Sequence, residues 1–299
     1  MWSFRRAEEH QSVPHYSGLP VTVVIPTLNE ADRLPDCLRS VRWAAEVIVA
    51  DAGSTDGTAS VARHLGARVV EARGVTIAGQ RNAAIALATQ PWVLALDADE
   101  RVTPELVESI RAAVATPRAD AYRIHFRNRY LGAPMERGGW GRDWHVRFSR
   151  ASRFWKVQRV HEHLDHDGPV ADLDGHIDHD SYRSLEHQLS KVATYSRWGA
   201  DDLQRRGTRV GFSHLALRPF WRFVKCYVLQ GAWREGRRGL ILSVVHAWSA
   251  FAKYAVLWDL QRQTAESARA APNRATRALD VAPGTRDRIA AGEHVTSVA

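Results

Sequence analysis

Cysteine is nearly absent from this chain of 299 residues, which carries only Cys37 and Cys226. Two distant thiols exclude a disulfide framework. With no Cys-x-x-Cys spacing they also exclude a cysteine-ligated zinc site, and a reducing compartment fits. No Gly-x-Gly-x-x-Gly run opens a helix, which disfavours a dinucleotide cofactor. The P-loop pattern of a Gly followed by Gly-Lys-Ser/Thr is missing too. Met1 to Leu19 holds charges but no apolar run, so no signal peptide is expected. The longest uncharged stretch late in the chain, Gly239 to Ala252, is shorter than the ~20 residues a spanning helix needs, and no spanning helix is expected. What is present suffices for one or two real cores: 45% of the residues are apolar. A wholly disordered chain is thereby excluded.

Charge is unevenly spread. Nine Arg or Lys lie between Arg205 and Arg238 against the single acid Glu235, which accounts for the entire net charge of +8. Such a confined excess implies an anionic partner met by one face.

From Val21 the chain alternates short β-branched runs with helical periods. Strands are expected at Val21 to Ile25, Glu46 to Asp51, Arg68 to Glu71 and Trp92 to Leu96. Helices are expected at Ala31 to Val41, Asp56 to Leu65, Ile77 to Ala88 and Pro104 to Ala115, with Asp56 as an N-cap. This pattern predicts βαβ units and a mostly parallel α/β sheet covered on both faces. Shorter strands follow at Ala121 to Phe126, His145 to Phe148 and Val170 to Ile177. Helices then resume at Leu185 to Leu203, Phe212 to Trp233 and Leu240 to Leu260. The expected division is a leader at 1–19, an α/β domain at 20–183, a helical region at 184–262 and a tail at 263–299.

Ligands of open parallel sheets bind beyond the carboxyl ends of the strands. Three acid-bearing segments emerge there: Pro26-Thr-Leu-Asn-Glu30, Asp51-Ala-Gly-Ser-Thr-Asp-Gly57 and Asp97-Ala-Asp-Glu100. Asp97 and Asp99 can hold Mg²⁺ or Mn²⁺ through oxygen and share it with a diphosphate, or can simply cap a helix. Asp51, with Gly53, can accept from a nucleobase imide or close an ordinary strand–turn–helix corner.

Together, Val23-Val-Ile-Pro-Thr-Leu-Asn-Glu30, Val47-Ile-Val-Ala-Asp-Ala-Gly-Ser-Thr-Asp-Gly-Thr58 and Leu96-Asp-Ala-Asp-Glu-Arg101 resemble the family-two glycosyltransferases of GT-A fold. Gly139-Trp140, Arg147-Phe148, Val160-His-Glu162 and His179-x-Ser-Tyr-Arg-Ser184 extend the resemblance to the branch with lipopolysaccharide core β-glucosyltransferases of the WaaE type. It implies a nucleotide-sugar donor, usually a UDP-sugar, and transfer with inversion. Pro26 and Glu30 would border the nucleoside, Asp51 would face the base, and Asp97 would lie near the ribose or diphosphate. Asp99 would bind the metal with Asp97, and His179 would either complete the coordination or hold its loop. Arg81 would contact the diphosphate, or be a helix-surface charge. Glu162 would be the base that takes the acceptor's proton, with Asp165 as the nearest substitute.

Six histidines (161, 163, 166, 176, 179 and 187) interleave with aspartates, and are read as solvated loop residues more readily than as a zinc site. In Phe220 to Gly231 the residues Phe220, Phe223, Val224, Tyr227 and Val228 share a helical stripe flanked by Arg222 and Lys225. That composition suits an anionic membrane interface, or a helical bundle packed on the α/β domain. The implied partners are a nucleotide-sugar donor, a saccharide or lipid-linked acceptor and an anionic membrane surface at the cytoplasmic face. Nucleic acid is not expected. A nucleotidyltransferase would want a Gly- and Lys/Arg-rich loop where Pro26 to Glu30 stands, and a non-catalytic surface binder would not explain carboxylates at three strand ends.

Overall fold

A computed structural model describes residues 18–141, 143–156, 163–164, 168–182 and 184–270. The first half alternates strand and helix: β1 Leu19–Thr27, α1 Leu34–Ser40, β2 Ala44–Asp51, α2 Thr58–His64, β3 Arg68–Glu71, α3 Ile77–Ile85, β4 Trp92–Ala95, β5 Glu100–Val102 and α4 Pro104–Ala115. Strands then dominate: β6 Ala121–Tyr130, β7 Ala133–Pro134, β8 Asp143–Arg150, β9 Trp155–Lys156, β10 His163–Leu164 and β11 Val170–Asp180. The last described residues form helices, α5 Leu185–Arg205, α6 Phe212–Leu215, α7 Leu217–Val224 and α8 Gly236–Ala270.

One sheet runs in the order β3-β2-β1-β4-β8-β6-β11-β5, with β7 on β6. Strands β3, β2, β1 and β4 are parallel, β8 is antiparallel to both its neighbours, β11 is parallel to β6, and β5 is antiparallel to β11. The near-continuous apolar runs of β1, β2 and β4 follow from burial on both faces. Pro26 lies inside β1 rather than ending it, pairing with Ala50. Its missing N–H would point toward β4, whose pairing with β1 stops at Ala95, so no ladder bond is lost. Trp92 and Phe148 stack at 4.9 Å and join β4 to the antiparallel half, each buried aromatic contributing about 1.5–3 kcal/mol.

In β11 the pairing with β6 is irregular between Asp172 and His176, and Gly175 sits there at φ +86°. A Cβ at Gly175 would come 2.4 Å from the Leu106 backbone nitrogen, so only glycine lets α4 pack this closely. Asp172, Asp178 and Asp180 face Arg123, Arg127 and Arg129 across the parallel register, each forming an ion pair. His176 and His179 therefore lie in a paired strand, which corrects their reading as solvated loop residues.

Two expectations for the helices fail. Phe212 to Trp233 is not one helix: Pro219 cannot bond back to Leu215, and the chain divides at Ala216 into α6 and α7. A π-helical turn, Lys225–Leu229, follows, and Gly231 turns the chain at φ 72°. Second, α8 is long and apolar enough to cross a membrane by length and composition. Between Leu240 and Trp258 a single Lys, Lys253, interrupts the run, so the expected absence of such a segment is overturned. One side of this region packs inward, where Cys226, Ala232 and Leu242 form a core with Tyr130 and Met135. Of the expected stripe, Phe223, Val224 and Tyr227 are half-buried while Phe220 and Val228 are exposed.

Candidate active site

The loops after β1 and β2 are stitched into one rim. Asn29, held at φ 57°, accepts from the Thr55 amide at 2.9 Å, and its own amide donates to Ser54 Oγ at 2.9 Å. The Ala31 amide donates to Asp56 Oδ2 and the Glu30 amide to Thr58 Oγ1. Asp56 also accepts from the Thr58 amide at 3.0 Å, but α2 starts at Thr58 with Gly57 as its N-cap, so the expected capping position of Asp56 is corrected by one residue. Asp51 is 7% exposed at the tip of β2. It accepts from the Gly53 and Ser54 amides, from Ser54 Oγ and from Thr27 Oγ1. Burial pushes its carboxyl up, but the Ser54 and Gly53 hydrogen bonds outweigh this and hold it below its ordinary value. Pro26 and Glu30 are half-buried on the same rim.

Beyond β4 the acids meet three arginines. Arg81 on α3 is 4% exposed, which overturns the surface-charge reading, and its Nη2 lies 2.5 Å from Asp97 Oδ1. Its guanidinium lies 4.3 Å from the Trp155 ring centroid. Asn82, the next residue of α3, clamps the Trp155 backbone at both N–H and C=O, 2.7 and 2.9 Å, and so sets that ring. Arg147 Nη2 on β8 bridges Asp97 Oδ2 at 3.3 Å and Glu100 Oε1 at 3.2 Å. Arg33, just before α1, lies 3.0 Å from Asp99 Oδ2. The crevice is thus a paired network of three acids and three arginines, not a purely acidic one. Burial disfavours charge on Asp97, yet Arg81 and Arg147 hold its carboxyl well below the carboxylate range. Burial carries Glu100 the other way, up to about 7; Arg147 opposes the rise and Asp97 adds to it.

His179 belongs to β11, opposite Glu100 on β5 and Asn128 on β6. Asn128 Nδ2 donates to Asp143 Oδ2 at 2.8 Å, which turns Asn128 Oδ1 toward His179 Nδ1 at 2.7 Å. An amide oxygen only accepts, so Nδ1 carries the proton and Nε2 faces Asp99 Oδ2 at 3.7 Å. Burial lowers the imidazole's basicity, but Asp99 and the neighbouring acids raise it above its ordinary value. Ligand atoms of Asp99, Glu100 and His179 lie within 4.8 Å of one another. This oxygen and imidazole set fits a hard divalent cation such as Mg²⁺ or Mn²⁺, with the His179 Nδ1–H anchored as a metal-ligating histidine's is. Asp97 stands beside that group, 31% exposed and engaged by Arg81 and Arg147.

Glu162 and Asp165 lie outside the described residues, as do His161 and His166. Arg33, Asn128 and Asp143 were not anticipated. Glu100 and Arg147 stood inside quoted motifs without a role; the pairing of β8 with β6 passes from Val146 to Phe148 and skips Arg147, so strict alternation carried no signal of its direction. A cavity of about 800 Å³, lined by Phe126, Gly139, Trp140 and Gln230 among others, borders the network, the Phe126 ring meeting His179 edge-on at 6.0 Å.

A family model described as glycosyl transferase family 2 matches residues 22–168. The lipopolysaccharide core biosynthesis glycosyltransferase LpsC of Rhizobium meliloti is 30% identical over 250 residues, 81% of this chain and 93% of that protein. A glycosyltransferase of Rickettsia prowazekii is 28% identical over 256 residues, 80% of this chain and 87% of that one. Among solved structures, Staphylococcus aureus TarS (residues 1–349) in complex with UDP-GlcNAc aligns at a TM-score of 0.44 and 14% identity, over 82% of this chain and 92% of that one. The acid-tipped, partly parallel sheet has the GT-A architecture, and with a 30% identical relative covered almost end to end, the chain belongs to glycosyltransferase family 2.

Proposed function

We propose that this glycosyltransferase moves a sugar, with inversion, from a UDP-sugar to a saccharide or lipid-linked acceptor of the cell envelope, using Mg²⁺ or Mn²⁺. The observation that carries the proposal is the meeting of Asp97, Asp99, Glu100 and His179 with Arg33, Arg81 and Arg147 at the strand ends. Asp51, Gly53, Pro26 and Glu30 form the rim where the nucleoside would lie, Asp51 presenting a fixed carboxylate to the base. Asp97 and Arg81 orient the ribose and diphosphate, Arg81 being suited to phosphate oxygens. Asp99 and His179 would hold the metal, with Asp97 as the adjoining acid. When bound, the metal offsets negative charge on the departing nucleoside diphosphate.

Glu162 takes the proton from the acceptor hydroxyl as that oxygen attacks the anomeric carbon and the bond to the diphosphate breaks. The name of the Rhizobium relative supports an envelope saccharide as acceptor, and the cavity beside Trp140 offers an aromatic wall to a sugar. We take 20–183 as the catalytic domain and 184–262 as the acceptor and membrane-surface region, with 1–19 and 263–299 outside both. The protein works at the cytoplasmic face of the membrane, attached peripherally, because α8 packs along α5 and α7 instead of standing alone. Nucleic acid has no part in this reading. Glu162→Gln is expected to keep UDP-sugar binding, measured by calorimetry, and to lose transfer. Loss of donor binding, or a product of retained anomeric configuration by NMR, would overturn this assignment.

A further inference from the structure

Away from the paired network lies a second cavity, of about 670 Å³, between α5, α7 and α8. Arg218, Arg222, Lys225 and Lys253 line it together with His246, and no carboxylate does. Among the described residues none of these four cations has an acidic partner. This differs from the sheet and α3, where Arg123, Arg127, Arg147 and Arg81 are paired with acids. Like charges gathered without acids repel one another, and the effect is visible on their neighbours. Burial and Arg222 hold His246 down to about 4, and burial with Arg218 and Arg222 lowers Lys253. The cluster is held by aromatic packing: Arg218 donates to Tyr254 Oη at 2.7 Å, and Lys253 Nζ lies 5.1 Å from the same ring centroid.

The cavity also carries exposed apolar side chains. Leu217 and Trp221 line it while 60% and 57% exposed, and Phe220 and Phe212 beside them are 67% and 82% exposed. Basic groups, with Arg218, Arg222 and Lys225 exposed and Lys253 half-buried, beside exposed aromatic and aliphatic side chains match one ligand chemistry, a compact phosphate carried on a hydrocarbon body. A soluble phosphate would satisfy the cations and leave the apolar side chains unused. A neutral lipid would satisfy the apolar side chains alone.

We propose that this cavity binds the phosphate headgroup of an anionic amphiphile, seating it against Arg222, Lys225 and Lys253 while its apolar part lies along Leu217, Phe220 and Trp221. The proposal deepens the reading of the acceptor region, since it supplies the attachment that a membrane-held acceptor would need. It is tested without any sugar donor, so its failure is distinct from failure of the transferase reading.

The test is calorimetric titration of the full chain with dihexanoyl phosphatidic acid below its micellar concentration, with dihexanoyl phosphatidylcholine, and with inorganic phosphate. Phosphatidic acid is expected to bind at least tenfold more tightly than either of the others. Arg222→Gln and Lys253→Met should each weaken it at least tenfold, Arg222→Lys should restore most of the affinity, and Arg237→Gln, outside the cavity, should change nothing. Because each substitution relieves repulsion, the variants should melt no lower than the parent protein. Equal affinity for inorganic phosphate would refute the amphiphile as occupant, and equal affinity for phosphatidylcholine would refute the role of the cations. An equal loss in Arg237→Gln would reduce the effect to overall charge and overturn the site, as would no binding of phosphatidic acid.

Discussion

Arg147→Met removes the cation that ties two strand-end acids together. Its Nη2 sits 3.3 Å from Asp97 and 3.2 Å from Glu100, with the side chain 11% exposed. Breaking a buried pair by deleting one partner costs about 3–5 kcal/mol, because the remaining charge is stranded. Two features place this case at the low end. Asp97 keeps Arg81 at 2.5 Å, and Glu100, already raised to about 7, can take a proton. A loss of about 3 kcal/mol follows, which for a chain of this size is a fall in melting temperature of about 6–12 °C. Equilibrium urea denaturation of the single variants and the double variant closes a cycle with Glu100→Gln. In the parent protein Glu100→Gln should be destabilising, since it breaks the bond to Arg147. In the Arg147→Met background it should be neutral or stabilising, since it removes a stranded acid. An Arg147→Met variant within about 1 kcal/mol of the parent, or an equal effect of Glu100→Gln in both backgrounds, would show that the network is not coupled as described.

Asn128→Ala should lower Mn²⁺ affinity by about 10- to 100-fold, read by electron paramagnetic resonance, because it releases the His179 ring from its anchored tautomer. An unchanged affinity would remove His179 from the metal site or Asn128 from its support. His246 titrates near 4 when folded against 6.5 when free, so the unfolded chain binds more protons between those values. Stability should therefore fall as pH drops from about 6.5 toward 4, by up to about 3 kcal/mol, and the slope should flatten in His246→Leu.

The parallel half was legible because β1, β2 and β4 are buried on both faces and helices such as α1 and α4 carry their own apolar period. Pro104–Ala115 was read to the residue, its proline marking the first turn. The acids of the site were legible as motifs, since strand ends expose them together. Their partners were not: Arg33 and Asp99, or Arg147 and Asp97, meet only through sheet order, which no local spacing encodes. His176 and His179 were read as loop residues because their alternation with aspartate looks polar until the parallel pairing of β11 with β6 is known. Helix α8 was undervalued because Lys253 was counted as a stop, although one snorkelling side chain does not end an apolar helix.

Metal-assisted release of a nucleoside diphosphate from a sugar donor is the step on which the proposed activity depends. Purified full-length protein, offered UDP-sugars singly with Mn²⁺, should release UDP from one of them, stop when the metal is chelated, and lose the activity in Asp99→Ala. Undiminished release by Asp99→Ala, or release indifferent to chelation, would contradict it.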